Sequence, residues 1–392
     1  MTARRLRAVV VGAGAFGGWT ALWLRRAGAE VTLLDAWGPG HARASSGGDS
    51  RVIRGMYGPD RLYTEWVVRS FELWQEAEAR WGERLYHPTG ALWMFHGDDA
   101  YARTSLPLLC DAGLPVEQLD PAAARRRFPQ VCFDGVASVY LESEAGYLTA
   151  RRACQAVATA FAAEGGTYRT AAACPGPIAN GSLERLEIAG GAAITAAEAD
   201  VFVFACGPWL GTLFPEVVGE GLRPTRQEVF YFGTPPGDPR FREEGLPVWM
   251  DFGERIFYGI PGNEHRGFKV ADDTRGAAID PTSAERTVTP ADLERARAAL
   301  ARRFPDLAGA PLLGAEVCQY ENSPDGHFLL DRHPQAANVW ILGGGSGHGF
   351  KLGPALGEAA ARLIGEGGTP PAQFRLARLG QAADRKTQFE RR

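Results

Sequence analysis

The chain has 392 residues, 45% of them apolar and 22% charged, a balance that excludes a disordered chain or a coiled coil. Its 42 Lys and Arg against 46 Asp and Glu leave a net charge near −4, which is no footprint of a nucleic-acid binder, and no apolar run is long enough to cross a membrane. At this length two domains are expected.

Near the start, Arg4, Arg5 and Arg7 precede an apolar stretch, the outline of an export signal. The stretch is short and runs straight into Gly12-Ala13-Gly14, so it reads instead as a buried parallel strand over 6–11. Gly12-Ala13-Gly14-Ala15-Phe16-Gly17 leads into an apolar helix over 19–27, stopped by Gly28. A second strand over 31–34 ends in Asp35. This is the order of a dinucleotide-binding unit. Gly12 allows the tight turn, Gly14 the approach of a pyrophosphate, and Gly17 the packing of helix on strand. The helix N-terminus offers free N–H groups to phosphates, and Asp35 stands where an acid accepts the adenosine ribose hydroxyls. The motif alone does not separate NAD from FAD.

Further along, 63–81 predicts an amphipathic helix and 86–95 a strand with Pro88 and Gly90 near its start. Helices are expected over 106–113, 121–128 and 149–164, and a hairpin over 183–195. A buried strand over 199–205 ends in Cys206-Gly207-Pro208-Trp209. The segments 226–233 and 248–260 read as strands, and 290–304 as a helix capped by Thr289. A last buried strand over 339–342 runs into a glycine-rich loop, Gly343 to Lys351, and then a helix to about Ile364. The polar tail after Pro371 is expected on the surface. The six cysteines, Cys110, Cys132, Cys154, Cys174, Cys206 and Cys318, show no CxxC pairing and read as reduced thiols of a cytoplasmic protein, most of them packing residues. Two strand-then-glycine junctions, at 12–17 and 343–349, bracket the chain, as a fold that wraps both ends around one cofactor requires.

Together these segments resemble the FAD-dependent amine oxidases of the D-amino-acid-oxidase type, the group that includes monomeric sarcosine oxidase, N-methyltryptophan oxidase and the pipecolate oxidases. The resemblance rests on VVVGAGAFG at 9–17, GGDSRVIRGMYG at 47–58, YGIP at 258–261, GFK at 267–269, GAEVCQYENSPDGHFLLDRHP at 314–334 and SGHGFKLGPALGE at 346–358. It implies an α/β and α+β fold: a Rossmann-like FAD-binding domain over 1–84, 146–222 and 324–392, and a substrate domain over 85–145 and 223–323 built on a mainly antiparallel sheet. The activity implied moves a hydride from a carbon beside an amine nitrogen to flavin N5, with O2 as the acceptor. FAD is the implied cofactor, and a small amine or amino acid the substrate. A monomer is expected, with no metal.

By the same resemblance Cys318 bonds covalently to the flavin, helped by the positive Arg51. Arg54 and Lys351 hold the substrate carboxylate, an Arg by a forked pair and a Lys by a point charge. Lys269 sits near flavin N5 and helps O2 take up electrons. Tyr258 and Tyr320 match pocket tyrosines. His348 lies in the loop that passes the flavin, where backbone N–H groups stabilise negative charge. The implied cofactor contacts are Gly12, Gly14, Phe16, Gly17, Asp35, Ser50, Arg51, Cys318, Gly345, Gly347, His348, Gly349 and Lys351. The implied catalytic group is Lys269, Arg51, His348 and Tyr258.

Asp273 joins that group as a departure from the pattern. Sarcosine oxidase carries a His four residues after its lysine, and this chain has Asp273; sarcosine oxidase carries another His where this chain has Gly47. An acid there suits a second polar or cationic group on a larger substrate, or a base; equally, it turns to solvent past the strand end. Two other readings stay open at this stage: a flavin dehydrogenase with a different electron acceptor, and a non-catalytic FAD-binding subunit.

Overall fold

The computed structural model describes residues 4–264 and 266–380. A six-stranded sheet runs in the spatial order Leu329–His333, Ala336–Gly343, Val201–Phe204, Arg7–Val11, Glu30–Asp35 and Thr167–Thr170. Its neighbours are parallel except the outer pair, Leu329–His333 with Ala336–Gly343. Unbroken apolar runs such as RAVVV and VFVF form its centre because both faces are covered. Val10 and Val203 face a core shared with the helices Ala15–Arg26, Ala150–Ala163 and Gly353–Glu366. Val9, Val11, Phe202 and Phe204 face the other way, against Leu186 and Ile188 of a small hairpin.

The first and last helices touch closely. A Cβ at Gly357 would lie 2.7 Å from the backbone of Trp19, so glycine there is what lets the last helix lie on the first. This contact brings the loop at 343–351 beside the turn at 12–17.

An eight-stranded sheet forms the second layer, in the order Leu312–Asn322, Arg223–Phe232, Phe268–Asp272, Ile256–Ile260, Val248–Phe252, Ala91–Phe95, Ser138–Glu142 and Val116–Leu119. Only Val248–Phe252 with Ala91–Phe95 is parallel. Alternation sorts its two faces. Phe268, Val270, Phe230 and Trp249 pack under Leu300 and Phe304 of the helix Pro290–Arg303 and the turn after it. Lys269, Tyr231, Tyr258 and Cys318 face the opposite way, where Lys269 and Cys318 meet Ser50 and Arg51. Thr289 and Asp292 form a reciprocal capping box at the start of that helix.

Several expectations are corrected. The segment 86–95 is two strands in two sheets: Tyr86–His87 pairs with Gly146–Leu148, while Ala91–Phe95 enters the large sheet. Pro88 and Gly90, at φ +81°, make the break. The helix expected from residue 106 begins at Ala100 and runs through Pro107, which gives up one helix N–H bond. The tail after Pro371 is anchored: Phe374 is fully buried, ringed by Tyr63, Trp66 and Phe328. Its remainder, 381–392, lies outside the described residues. Cys154 is buried, but Cys110 and Cys174 are exposed, and none of the six forms a disulfide. Among the described residues no helix is long and apolar enough to cross a membrane.

Candidate active site

A cavity of about 370 Å³ runs along the C-terminal ends of the parallel strands, from Asp35 and Trp37 to Arg51 and Tyr320. Gly12 lines its floor, with Gly17 packed behind it against the Gly12 carbonyl. Gly12 sits at φ +105°, and a Cβ there would lie 2.3 Å from the Ala205 carbonyl. A Cβ at Gly17 would lie 1.9 Å from the Gly12 carbonyl. Gly14 faces the cavity with only Ser46 Oγ near it, at 3.3 Å from a Cβ position. Asp35 braces the turn: its Oδ2 accepts from the Ala13 N–H at 2.7 Å, and its Oδ1 from Trp37 and Gly38 at 2.9 and 2.8 Å. On the far side Gly349 lets Phe16 close the wall, since a Cβ there would meet the ring at 2.7 Å.

These residues fit FAD. The glycine cradle would be filled by any Cβ, and two buried cavity groups, Ser45 Oγ and Glu321 Oε2, have no hydrogen-bond partner in the protein. At the Tyr320 end Cys318 and Arg51 meet, with Nη2 donating to Sγ at 3.2 Å. Arg51 also donates to the carbonyls of Ser45 and Ser50, at 2.6 and 2.8 Å. Burial alone would push the Arg51 guanidinium down; the Cys318 thiol and the phenols of Tyr258 and Tyr320 outweigh it, so Arg51 stays a fixed cation. Lys269 is 1% exposed, donates to the same Ser50 carbonyl at 2.9 Å, and lies 5.6 Å from the Tyr258 ring centre. Burial first, and Arg51 second, push Lys269 down to about 7.

A smaller cavity of about 60 Å³ adjoins the first and shares Arg51, Tyr320, Gly347 and Phe350 with it. Arg54, Lys351 and Asp273 line it, with an aromatic wall that includes Trp93 and Phe252. Arg54 is buried, lies 4.8 Å from the Tyr57 ring centre and 5.2 Å from that of Trp93, and donates to the Met56 carbonyl and the Tyr101 hydroxyl. Lys351 donates to the His348 carbonyl at 3.0 Å. Burial, then repulsion by Arg54, hold Lys351 well below its ordinary pKa, with Asp273 opposing. Half-buried Asp273 turns into the pocket and accepts from the Tyr320 hydroxyl at 2.6 Å. Burial pushes Asp273 up to about 7 against that bond and Arg54. Gly347, at φ +78°, is where the loop passes the Tyr320 ring, leaving 2.7 Å to a Cβ.

His348 is placed differently from the expectation of a catalytic side chain. Its Nε2 faces the Gly326 carbonyl at 2.9 Å, so Nε2 carries the proton, and Nδ1 faces the Tyr57 hydroxyl at 3.3 Å. Both ring nitrogens are committed to protein, and the residue positions Lys351 through its carbonyl. One functional residue escapes sequence reasoning altogether. Buried Glu142 accepts from the N–H groups of Gly55 and Met56 at 2.6 and 3.4 Å and from Trp93 Nε1 at 2.7 Å. It thereby fixes the loop whose carbonyl holds Arg54.

A dinucleotide cavity on a parallel sheet, opening into a cation-lined pocket under an antiparallel sheet, defines a flavin-dependent oxidoreductase. The chain belongs to the DAO family of FAD-dependent oxidoreductases, whose model matches residues 7–363. It is 31% identical over 381 residues to the monomeric sarcosine oxidase of Streptomyces avermitilis, covering 95% of this chain and 98% of that one. It is 28% identical over 389 residues to the N-methyl-L-tryptophan oxidase of Salmonella arizonae, covering 95% and 99%. Among solved structures, the L-proline dehydrogenase of P. horikoshii has the same fold at a TM-score of 0.82 and 21% identity, covering 96% of this chain and 98% of that one.

Proposed function

We propose that this enzyme oxidises the C–N bond of a small secondary amine or amino acid bearing a carboxylate, giving an imine, with O2 reduced to H2O2. The observation that carries the reading is the pair Arg54 and Lys351, which arrive from opposite ends of the chain to line one pocket beside the cofactor cavity. Relatives named for sarcosine and N-methyl-L-tryptophan, both N-methyl amino acids, support it. FAD held along the long cavity by the Gly12–Gly17 turn and the 343–351 loop would supply the two-electron redox chemistry. Arg54 and Lys351 grip the carboxylate, and the aromatic wall orients the amine-bearing carbon. Lys269 offers its charge to oxygen, and Tyr258 holds that charge in place. Arg54→Ala and Lys351→Ala are each expected to raise KM roughly ten- to a hundredfold, the worth of a charge-assisted hydrogen bond. A panel of amines assayed for peroxide release checks this; efficient turnover of amines without a carboxylate would contradict the clamp.

The Arg51–Cys318 contact supports a covalent flavin link, because it sets a fixed cation 3.2 Å from the sulfur that would form the bond. Flavin is expected to stay with the acid-precipitated wild type and to wash out of Cys318→Ala. Complete release from the wild type would remove the covalent assignment. We assign 1–84, 146–222 and 324–392 to the cofactor domain and 85–145 and 223–323 to the substrate domain. Every strand of the six-stranded sheet falls in the first set and every strand of the eight-stranded sheet in the second, which supports the division. The enzyme acts as a cytoplasmic monomer; its unpaired cysteines suit that compartment.

A further inference from the structure

We propose that Glu321 holds the polyol chain of the cofactor, accepting a hydrogen bond from a ribityl hydroxyl; the proposal rests on the long cavity being the FAD site. Two carboxylates line that cavity, Asp35 and Glu321. Asp35 is occupied with three backbone N–H groups of the turn region. Glu321 is 7% exposed; its Oε1 accepts from the Gly345 N–H at 3.2 Å, and its Oε2 has no partner. A buried carboxylate oxygen without a donor is costly, and the protein supplies none here.

Its place along the cavity selects the donor. Glu321 lies on the strand of Cys318, and its Oε2 sits against Gly207 and Gly343, where a Cβ would come within 3.6 and 3.3 Å. Those glycines follow or end the strands Val201–Phe204 and Ala336–Gly343, beside the strand that leads into the Gly12–Gly17 turn. A diphosphate belongs at the turn, where helix N–H groups are free, and a buried carboxylate would repel it. A flavin ring belongs at Cys318 and Arg51. The part of FAD between these two is a chain of hydroxyls, each able to donate to a carboxylate oxygen. Burial pushes Glu321 up to about 7, and a hydroxyl donor on Oε2 would favour the ionised form again.

The test reads cofactor affinity. Apoprotein carrying Cys318→Ala, so that no covalent link obscures binding, is titrated with FAD and with an FAD analogue whose side chain lacks the ribityl hydroxyls. With Glu321 present, the analogue is expected to bind roughly ten- to a hundredfold more weakly than FAD. With Glu321→Ala the difference should largely vanish, while Glu321→Gln, which keeps an acceptor oxygen, should retain part of it. Glu321→Leu replaces the Ala variant if melting curves show that the latter does not fold. An undiminished preference for FAD in the Ala or Leu variant overturns the proposal and leaves Glu321 as a brace for the glycine loop. Failure of every protein, including the one with Glu321 intact, to bind FAD overturns the reading of the cavity and this proposal together.

Discussion

Lys269→Met is expected to slow reoxidation of the reduced flavin by O2 by on the order of a hundred- to a thousandfold, the usual cost of removing one preorganised electrostatic group. Flavin reduction by substrate should change far less, because Lys269 is not among the groups lining the smaller cavity, whereas Arg54 and Lys351 are. The geometry makes the charge a fixture. Lys269 stands between Phe268 and Val270, which both face the helix-covered core, so alternation aims its amine at the cofactor side. The Ser50 carbonyl and the Tyr258 ring hold it there without cancelling the charge. Burial and Arg51 place its pKa near 7, so the amine loses its proton as pH rises, and negative charge on the reduced cofactor would move that midpoint upward. Reoxidation should therefore fall with rising pH in the wild type and be flat in Lys269→Met, with Lys269→Arg restoring part of the rate. Stopped-flow separates the two half-reactions. Equal slowing of both would give the lysine to substrate binding and remove the oxygen role.

What the residues announce in advance follows from how local each constraint is. The Gly12–Gly17 turn is legible because a Cβ is sterically impossible at two fixed positions, and residue type alone records that. The alternation around Lys269 is legible for the same reason. The Arg51–Cys318 contact joins residues far apart in the chain and is foreseen only through flanking segments that resemble a known family. Glu142 carries no such flag. Two of its three donors are backbone N–H groups, of Gly55 and Met56, which every sequence possesses, and only the fold brings them and the Trp93 indole to the carboxylate. Glu321 is hidden likewise: its protein donors are backbone N–H groups of the glycine loop, among them that of Gly345. The break at Pro88 and Gly90 is visible as composition, yet that it sends two strands into different sheets depends on pairing with residues beyond 138.

Asp273 shows how one backbone bond settles an ambiguity. The strand ends at Asp272, whose carboxylate turns outward to Arg255 at 2.5 Å. The N–H of Asp273 still donates to the Ile256 carbonyl at 2.7 Å, which keeps the backbone on the sheet for one residue more and leaves the side chain on the inner face. The pocket thus sets three cations, Arg51, Arg54 and Lys351, against one acid. On the proposed function, a substrate carboxylate would answer Arg54 and Lys351, and a polar or cationic group elsewhere on the substrate would answer Asp273. Amino acids with bulkier polar N-substituents are therefore expected to outperform sarcosine, and Asp273→Asn should lower kcat/KM for them roughly ten- to a hundredfold, as loss of a charged hydrogen-bond partner does. The pH dependence has a definite sign. Burial holds the Asp273 carboxyl near 7, so its anion is lost as pH falls and flavin reduction per bound substrate should fall with it. Lys351, held below its usual range, loses its charge as pH rises and gives the opposite limb. Asp273→Asn should erase the low-pH limb alone, measured in the reductive half-reaction so that Lys269 does not contribute. If sarcosine is the best substrate and Asp273→Asn leaves both its rate and the low-pH limb unchanged, Asp273 serves only to hold Tyr320, and the pocket reads a carboxylate alone.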